Sequence, residues 1–120
     1  MIHKMTESEE ILADIIWNHE PIGSGTLVKI CADELQWKKS TTYTMLKKVI
    51  DKGIFTNEDS KVFSILSKEE YYAKQSIQFV EETFSGSLPK FFTAFISGKK
   101  ISKKQAEELK KLIDEYGEDK

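Results

Sequence analysis

The sequence contains no arginine, a single cysteine and no long apolar run, and each shortage narrows the possible functions. All 18 basic residues are lysines, so no side chain can make the bidentate guanidinium contact to guanine that dominates specific DNA readout. Cys31 alone can form neither an internal disulfide nor a cysteine-rich metal site, and a lone thiol suits a reducing cytoplasm. No apolar stretch approaches the roughly 18 residues needed to cross a bilayer, so we expect no membrane insertion.

Patterns for catalysis, metal binding and export are also missing. His3 and His19 lack the spacing of zinc ligands, and the sequence has no glycine-rich phosphate loop. No carboxylate forms a catalytic motif with a histidine or a serine. The first ten residues lack the apolar core of a signal peptide. We therefore expect a cytoplasmic protein that is not an enzyme and binds no cofactor.

The distribution of charge says more than its sum. The net charge of -2 at first speaks against a nucleic-acid partner. Between Lys38 and Lys61, however, six lysines face only three carboxylates, so this stretch is locally positive. A charge run alone is most often a solvated face, and it does not decide the function.

Capping and periodicity predict three helices in the first half of the chain. Thr6 and Glu9 form a capping box for a helix over residues 6–18. Ser24 can cap a second helix, whose apolar face includes Cys31 as a small core residue. A third helix is predicted over residues 39–52, with Gly53 following it as a left-handed cap.

Two short apolar stretches after the third helix predict a hairpin. Residues 54–56 and 62–66 have strand composition, and residues 57–60 between them have turn chemistry. Three helices followed by a hairpin predict a winged helix-turn-helix domain over residues 1–66. The fold class is therefore mainly α with a small β-hairpin.

The remainder, residues 67–120, is predicted to form three helices. Capping boxes begin at Ser67 and at Ser102, and Gly86 interrupts the first of these helices. Their apolar faces are too large for one short chain to cover, which indicates a symmetric dimer. The predicted dimerisation residues are Tyr71, Ile77, Val80, Phe84, Leu88, Phe91, Phe92, Phe95, Leu109, Leu112, Ile113 and Tyr116.

With this order of elements, the sequence resembles the penicillinase-repressor family of bacterial transcription regulators, the BlaI/MecI/CopY type. The resemblance covers nearly the whole chain. It rests on TESEEILADIIW at 6–17, STTYTMLKKVIDKGIF at 40–55, SKEEYYAKQSIQFVEETFSGSL at 67–88 and KKQAEELKKLID at 103–114.

The resemblance implies a homodimeric repressor on a pseudo-palindromic operator, in a β-lactam-resistance or related stress operon. In the antibiotic-responsive members of the family, a membrane-bound sensor protease system triggers cleavage at an Asn-Phe bond. The matching candidate cleavage positions here are Ala94 and Phe95, where the asparagine is missing. Copper-responsive members carry a C-terminal cysteine cluster, and this chain ends without one.

The helix-turn-helix geometry predicts which residues read DNA. The N-terminal residues of the second helix of this motif touch base edges in the major groove. This makes Ser40, Thr41 and Thr44 the candidates for base contacts, since their hydroxyls can donate or accept. The predicted phosphate contacts are Lys38, Lys39, Tyr43, Lys47 and Lys48, with Lys61 on the wing.

Two other functions stay open at this point. The winged helix could dock a protein instead of DNA, which the eight lysines against ten carboxylates through Leu66 would favour. Alternatively, a small molecule could enter the aromatic cluster of Phe84, Phe91, Phe92 and Phe95, and the protein would then be a ligand-sensing regulator.

Overall fold

The structure is a computed structural model that describes residues 4–118, and these residues form six helices and one three-stranded sheet. The mainly α fold class with a small hairpin is thus confirmed. No helix among the described residues is long and apolar enough to cross a membrane. The elements are α1 (Glu7–His19), β1 (Ile22–Gly23), α2 (Ser24–Leu35), α3 (Lys39–Asp51), β2 (Phe55–Glu58), β3 (Lys61–Ser64), α4 (Lys68–Phe84), α5 (Leu88–Gly98) and α6 (Lys103–Tyr116).

The capping boxes expected before α1, α4 and α6 all form. At α1, the Thr6 amide donates to the Glu9 carboxylate (2.8 Å), and the Glu9 amide donates back to the Thr6 hydroxyl (3.3 Å). Each box satisfies amides that the first helical turn leaves without partners. Ser24 differs from the prediction. It is the first residue of α2, the cap position is Gly23, and no side chain caps this helix.

The sheet contains one strand more than the predicted hairpin. The order is β1-β3-β2, with Ile22 opposite Val62 and Phe55 opposite Ser64. The turn is shorter than predicted, because only Asp59 and Ser60 lie between the strands. Both have positive φ, 51° and 62°, which is the conformation that a two-residue turn needs to match the twist of its strands.

One core lies under the three helices and the sheet. Leu12 and Ile16 of α1 meet Leu27 of α2, Val49 of α3 and Phe55 of β2, all of them buried. Burial of these apolar side chains is the main source of stability.

Cys31, which the sequence predicted as a core residue, lies in this core, and both tryptophans pack against it. Cys31 is buried, and its burial raises the pKa of the thiol. The Trp17 ring packs 5.2 Å from that of Phe55, and its indole nitrogen donates to the Leu66 carbonyl at 3.0 Å. Trp37 packs against the core as well.

The start of α1 and the segment before it are held by polar contacts to Lys52, which follows α3, and to α4. The Lys52 ammonium donates to the Glu9 carboxylate (2.6 Å) and to the Lys4 carbonyl (2.9 Å). The Met5 amide donates to the Tyr71 hydroxyl at 2.9 Å. Glu9 is 1% exposed, and burial alone would raise its pKa. The hydrogen bonds from Lys52 and Thr6 together outweigh burial and hold the pKa of Glu9 below its ordinary value.

The contacts between residues divide the chain into two compact units. The first unit ends at Gln78 and the second begins at Phe79, so the division falls within α4. The sequence suggested a boundary between residues 66 and 67, at the start of this helix. The beginning of α4 belongs to the first unit because Tyr71, 1% exposed, is part of its core. The assignment of Tyr71 to a dimer surface is therefore corrected: its apolar spacing reflects packing within the first unit.

We predict that Glu9→Gln lowers the free energy of unfolding by about 2 kcal/mol at pH 7, because a hydrogen-bonded charge pair is lost. The pKa of Glu9 is lower in the folded chain than in the unfolded chain. The stabilisation is therefore present above its ordinary value of 4.5 and is lost as the pH falls through the folded pKa. Urea unfolding between pH 3 and pH 7 measures the difference.

The matched control for this prediction is Glu7→Gln, an exposed carboxylate in the same helical turn. It should cost less than about 1 kcal/mol, since it loses only an interaction with the helix dipole. Equal effects of the two substitutions, or a Glu9→Gln effect that is independent of pH, would contradict the role given to the ion pair.

Candidate nucleic-acid interface

The orientation of α3 follows from its buried side. Thr42, Leu46 and Val49 are buried, at spacings of four and three residues, and Met45 and Ile50 pack partly against the core. This side of the helix packs on both α1 and α2. Because residues at these spacings share one face of a helix, the opposite face is turned to solvent.

The solvent face of α3 centres on Ser40, Thr44, Lys47 and Asp51. At 100° per residue these four side chains lie within about 60° of one another around the axis, and all are exposed. The sequence predicted base contacts by Thr41 as well as by Ser40 and Thr44. Thr41 is instead half-buried at the edge of this face, because its neighbour Thr42 is in the core. Ser40 and Thr44 are therefore the more accessible of the three predicted base readers.

Lysines surround the beginning of α3. Lys38 and Lys39 are exposed, and the cap residue Lys38 makes no side-chain hydrogen bond to the helix start. The unpaired amides of a first helical turn carry partial positive charge and favour anions. Tyr43, on the same side as Lys39, is also exposed. This end of the helix therefore combines two cations, a hydroxyl-bearing ring and helix amides, which together suit a phosphate backbone.

The far end of the same face is less positive. The Lys47 ammonium pairs with the Asp51 carboxylate at 3.1 Å, four residues further along α3. Lys48 is exposed in the last turn, where a cation interacts favourably with the helix dipole. Asp51 was counted from the sequence among the three carboxylates of this stretch, but it was not placed on the same helix face as Lys47. The four-residue spacing between Lys47 and Asp51 was the available signal.

The wing is anchored to the helices by two sets of hydrogen bonds. The Glu20 carboxylate accepts from the Ser64 amide (2.8 Å) and hydroxyl (2.7 Å). The Ser24 amide donates to the Ser60 carbonyl at 2.9 Å. These contacts place β3 at the end of α1 and the hairpin turn at the start of α2. Sequence reasoning did not assign a role to Glu20.

The wing has little positive charge at its tip. Lys61 is exposed, as predicted, but it lies directly opposite Glu58 in the hairpin and two residues from Asp59. On the wing, two carboxylates therefore lie close to Lys61, the only phosphate contact predicted there. The electrostatic attraction of this surface for an anion comes mainly from the lysines around α3.

The second unit exposes much of the apolar surface predicted for dimerisation. In the described chain no residue of α5 or α6 is fully buried. Val80, Phe84, Phe91, Phe92 and Leu109 are half-buried. The exposed members are Leu88, Phe95, Leu112, Ile113 and Tyr116, and Ile77 is exposed in the first unit.

The predicted aromatic cluster forms in part. Phe84 and Phe91 meet edge to face with ring centres 5.7 Å apart, and Phe79 contacts both. Phe91, Phe92 and Phe95 line an open apolar groove of about 330 Å³ that Leu109 and Leu112 of α6 complete. Three of the four phenylalanines named by the ligand-sensing alternative line this groove, and Phe84 does not.

The remaining predicted features lie as follows. Ala94 and Phe95 are exposed in the middle of α5, and cleavage between them stays a prediction from the resemblance. Among residues 4–118 no group of three or more histidine, cysteine and carboxylate side chains could hold a metal ion. His3 lies outside the described residues.

Comparisons with known proteins agree with this arrangement. The sequence profile of the penicillinase repressor family matches residues 5–115. The chain is 23% identical over 119 residues to the penicillinase repressor of Bacillus licheniformis, and the match covers 96% of this chain and 93% of that protein. The fold is similar to the solution structure of monomeric Bacillus licheniformis BlaI in complex with the blaP half-operator. That match has a TM-score of 0.51 at 23% identity and covers 59% of this chain and 92% of the other.

Proposed function

The chain belongs to the penicillinase repressor family, and from this premise we propose that it is a homodimeric repressor that binds a pseudo-palindromic DNA operator. The family consists of transcription regulators and not of enzymes. The observation that carries the proposal is the solvent face of α3, where Ser40, Thr44 and Lys47 lie in one row beside further lysines. The relative of similar fold was solved with a half-operator, which is consistent with this use of the fold.

In the proposed complex, α3 lies in the major groove. Ser40 and Thr44, in its first half, would contact base edges, and the threonine methyl would pack against a thymine methyl. Lys38, Lys39, Lys47 and Lys48 would contact phosphates. Serine and threonine are permissive readers, and arginine is absent. A large part of the specificity would therefore come from the shape and deformability of the DNA.

The proposed dimer forms through the second unit. Ile113 and Tyr116 are 66% and 78% exposed in the single chain, which is unusual for large apolar side chains on neighbouring turns of a helix. A symmetric dimer covers such a surface with an identical one. To read successive turns of the duplex, the two copies of α3 have to lie about 34 Å apart when DNA is bound. Two half-sites then compensate for the modest affinity of each lysine-based interface.

The first test is selection of bound fragments from the source genome, followed by salt titration on the enriched sequence. We predict a near-palindromic site. Thr44→Ala should weaken binding to that site about 5- to 10-fold and leave non-specific binding unchanged, because it removes a base contact only. Lys47→Ala/Lys48→Ala should weaken binding to all sequences and reduce the slope of log K against log salt by about 2.

A folded, dimeric protein that enriches no site even at low salt would contradict this function. It would favour the alternative in which the winged helix docks a protein. Equal losses of specific and non-specific binding in Thr44→Ala would also contradict the base contact assigned to this residue.

A second prediction concerns Asp51. Asp51→Asn should tighten DNA binding about 2- to 5-fold at low salt, because it frees the Lys47 ammonium and removes a negative charge from the DNA-facing side of α3. The gain should disappear above about 0.5 M salt, where exposed charges are screened. Fluorescence anisotropy with a labelled duplex measures both effects.

Asp14→Asn is the matched control, because Asp14 also pairs with a lysine, Lys68, at 2.9 Å, but on α1 and α4, and its side chain is partly exposed. It changes the net charge equally and should alter DNA affinity much less. If both variants bind more tightly to the same degree, only net charge is responsible, and the placement of Asp51 in the interface is wrong.

A further inference from the structure

Charge is unevenly distributed along the second unit. Residues 79–120 contain eight lysines and eight carboxylates, yet no carboxylate lies between Glu82 and Glu107. Four of the lysines fall within six consecutive residues, where α5 is joined to the first turn of α6. We call this group the junction patch, and it consists of Lys99, Lys100, Lys103 and Lys104.

The junction patch presents its positive charge to solvent. All four lysines are exposed, and the ion pairs within residues 4–118 involve other lysines. Glu107 and Glu108 lie four residues after Lys103 and Lys104. With the lysine first, this order is the less favourable one on a helix. The charge of the patch is therefore not compensated within the described chain.

Helix stability explains only half of the patch. Lys99 and Lys100 follow α5, where cations interact favourably with the C-terminal end of the helix dipole. Lys103 and Lys104 lie instead in the first turn of α6, which contains no acidic residue. Cations oppose the dipole at this end of a helix. These two lysines therefore cost the helix stability, which indicates an interaction with an anion outside the chain.

Duplex DNA is the anion that the rest of the molecule favours. The proposed DNA-binding surface lacks positive charge at two points, because Lys47 pairs with Asp51 and Lys61 lies opposite Glu58. Additional cations would compensate for both. The helix α4 leads into the second unit over 17 residues, about 25 Å, which is less than one turn of duplex, about 34 Å. DNA beside a bound operator is thus within the span of one molecule.

We propose that the junction patch binds the phosphate backbone of the duplex next to the operator, as a second contact that does not depend on sequence. This inference rests on the proposed function for the presence of DNA and adds a binding surface in the second unit. Lysine suits such a contact, because it meets a phosphate as a flexible point charge and reads no base. The contact raises the affinity for an operator within longer DNA and not for an isolated operator.

The test compares two duplexes and two variants of the full-length protein. One duplex is the enriched site alone, and the other adds about 15 base pairs of unrelated sequence on each side, about 50 Å. The test variant is Lys103→Gln/Lys104→Gln. The matched control is Lys110→Gln/Lys111→Gln, since these lysines are also exposed on α6 and also precede carboxylates by four residues. Unlike the junction patch, they have carboxylates before them as well, at Glu107 and Glu108.

We expect the natural chain to bind the long duplex at least about 10-fold more tightly than the short one at low salt. Lys103→Gln/Lys104→Gln should bind the short duplex like the natural chain and lose at least about 5-fold on the long one. Its slope of log K against log salt on the long duplex should fall by about 2 or more, because each subunit loses two phosphate contacts. The control variant should lower both affinities by the same small factor. Fluorescence anisotropy over a salt series measures all four complexes.

Loss of structure does not explain the expected result. Removal of two cations from the first turn of α6 improves its match to the helix dipole. Circular dichroism should therefore show unchanged helix content in Lys103→Gln/Lys104→Gln, and sedimentation equilibrium should show the same association state as in the natural chain.

Other outcomes overturn the inference in distinguishable ways. A natural chain that binds neither duplex removes the proposed function itself. Binding of the short duplex without any gain from flanking DNA removes only the role of the junction patch. Equal losses in the test and control variants would show an effect of net charge alone, and equal losses on both duplexes would place the two lysines at the operator. In either case the inference is wrong.

An anionic membrane is the competing partner, because Phe95 and Ile96 are 45% and 41% exposed near the end of α5 and exposed apolar side chains beside lysines suit a lipid surface. Vesicles of phosphatidylcholine with about one third phosphatidylserine test it by co-sedimentation. If the natural chain binds them, and Lys103→Gln/Lys104→Gln loses this binding but retains the natural affinity for both duplexes, the patch binds membranes and the inference is wrong.

Discussion

Burial of one face of α3 is the constraint on which the rest of this protein depends. With Thr42, Leu46 and Val49 in the core, the helix has one available rotation, and Ser40, Thr44 and Lys47 are turned outward together. The same core holds α1 and α2 against α3. The Glu9–Lys52 ion pair closes the far end of this arrangement by joining the start of α1 to the residue that follows α3. The proposed contact surface thus has a fixed orientation before any partner arrives, which limits the entropy lost on binding.

An interface built from lysines alone differs from one that contains arginine. Lysine meets phosphates as a flexible point charge and cannot offer the planar fork that recognises guanine. Affinity then depends strongly on salt and on the number of contacts. The Lys47–Asp51 pair and the carboxylates near Lys61 reduce the attraction further. A dimer that doubles the number of contacts is the natural compensation, and in our proposal the C-terminal helices supply it.

Local signals in the sequence were enough to predict most of the helices. Thr6 with Glu9, Ser67 with Glu70 and Ser102 with Gln105 mark helix starts by side-chain chemistry within four residues, and each of these boxes forms. β1 has only two residues, too few for any alternation to appear, and it exists only through pairing with β3. The burial of Tyr71 and the partial burial of Thr41 were missed for a related reason. Helical spacing shows that residues share a face, but only the packing of distant elements decides which of them it buries.

Amide hydrogen exchange with and without duplex DNA tests the central claim most directly, namely that the solvent face of α3 is the DNA-binding surface. The full-length protein would be compared free and bound to its enriched site at low salt, and peptides over residues 38–52 would be followed. The account predicts slower exchange in the first half of α3 and in the hairpin of β2 and β3 on binding. Slower exchange confined to α5 and α6, with α3 unchanged, would contradict it.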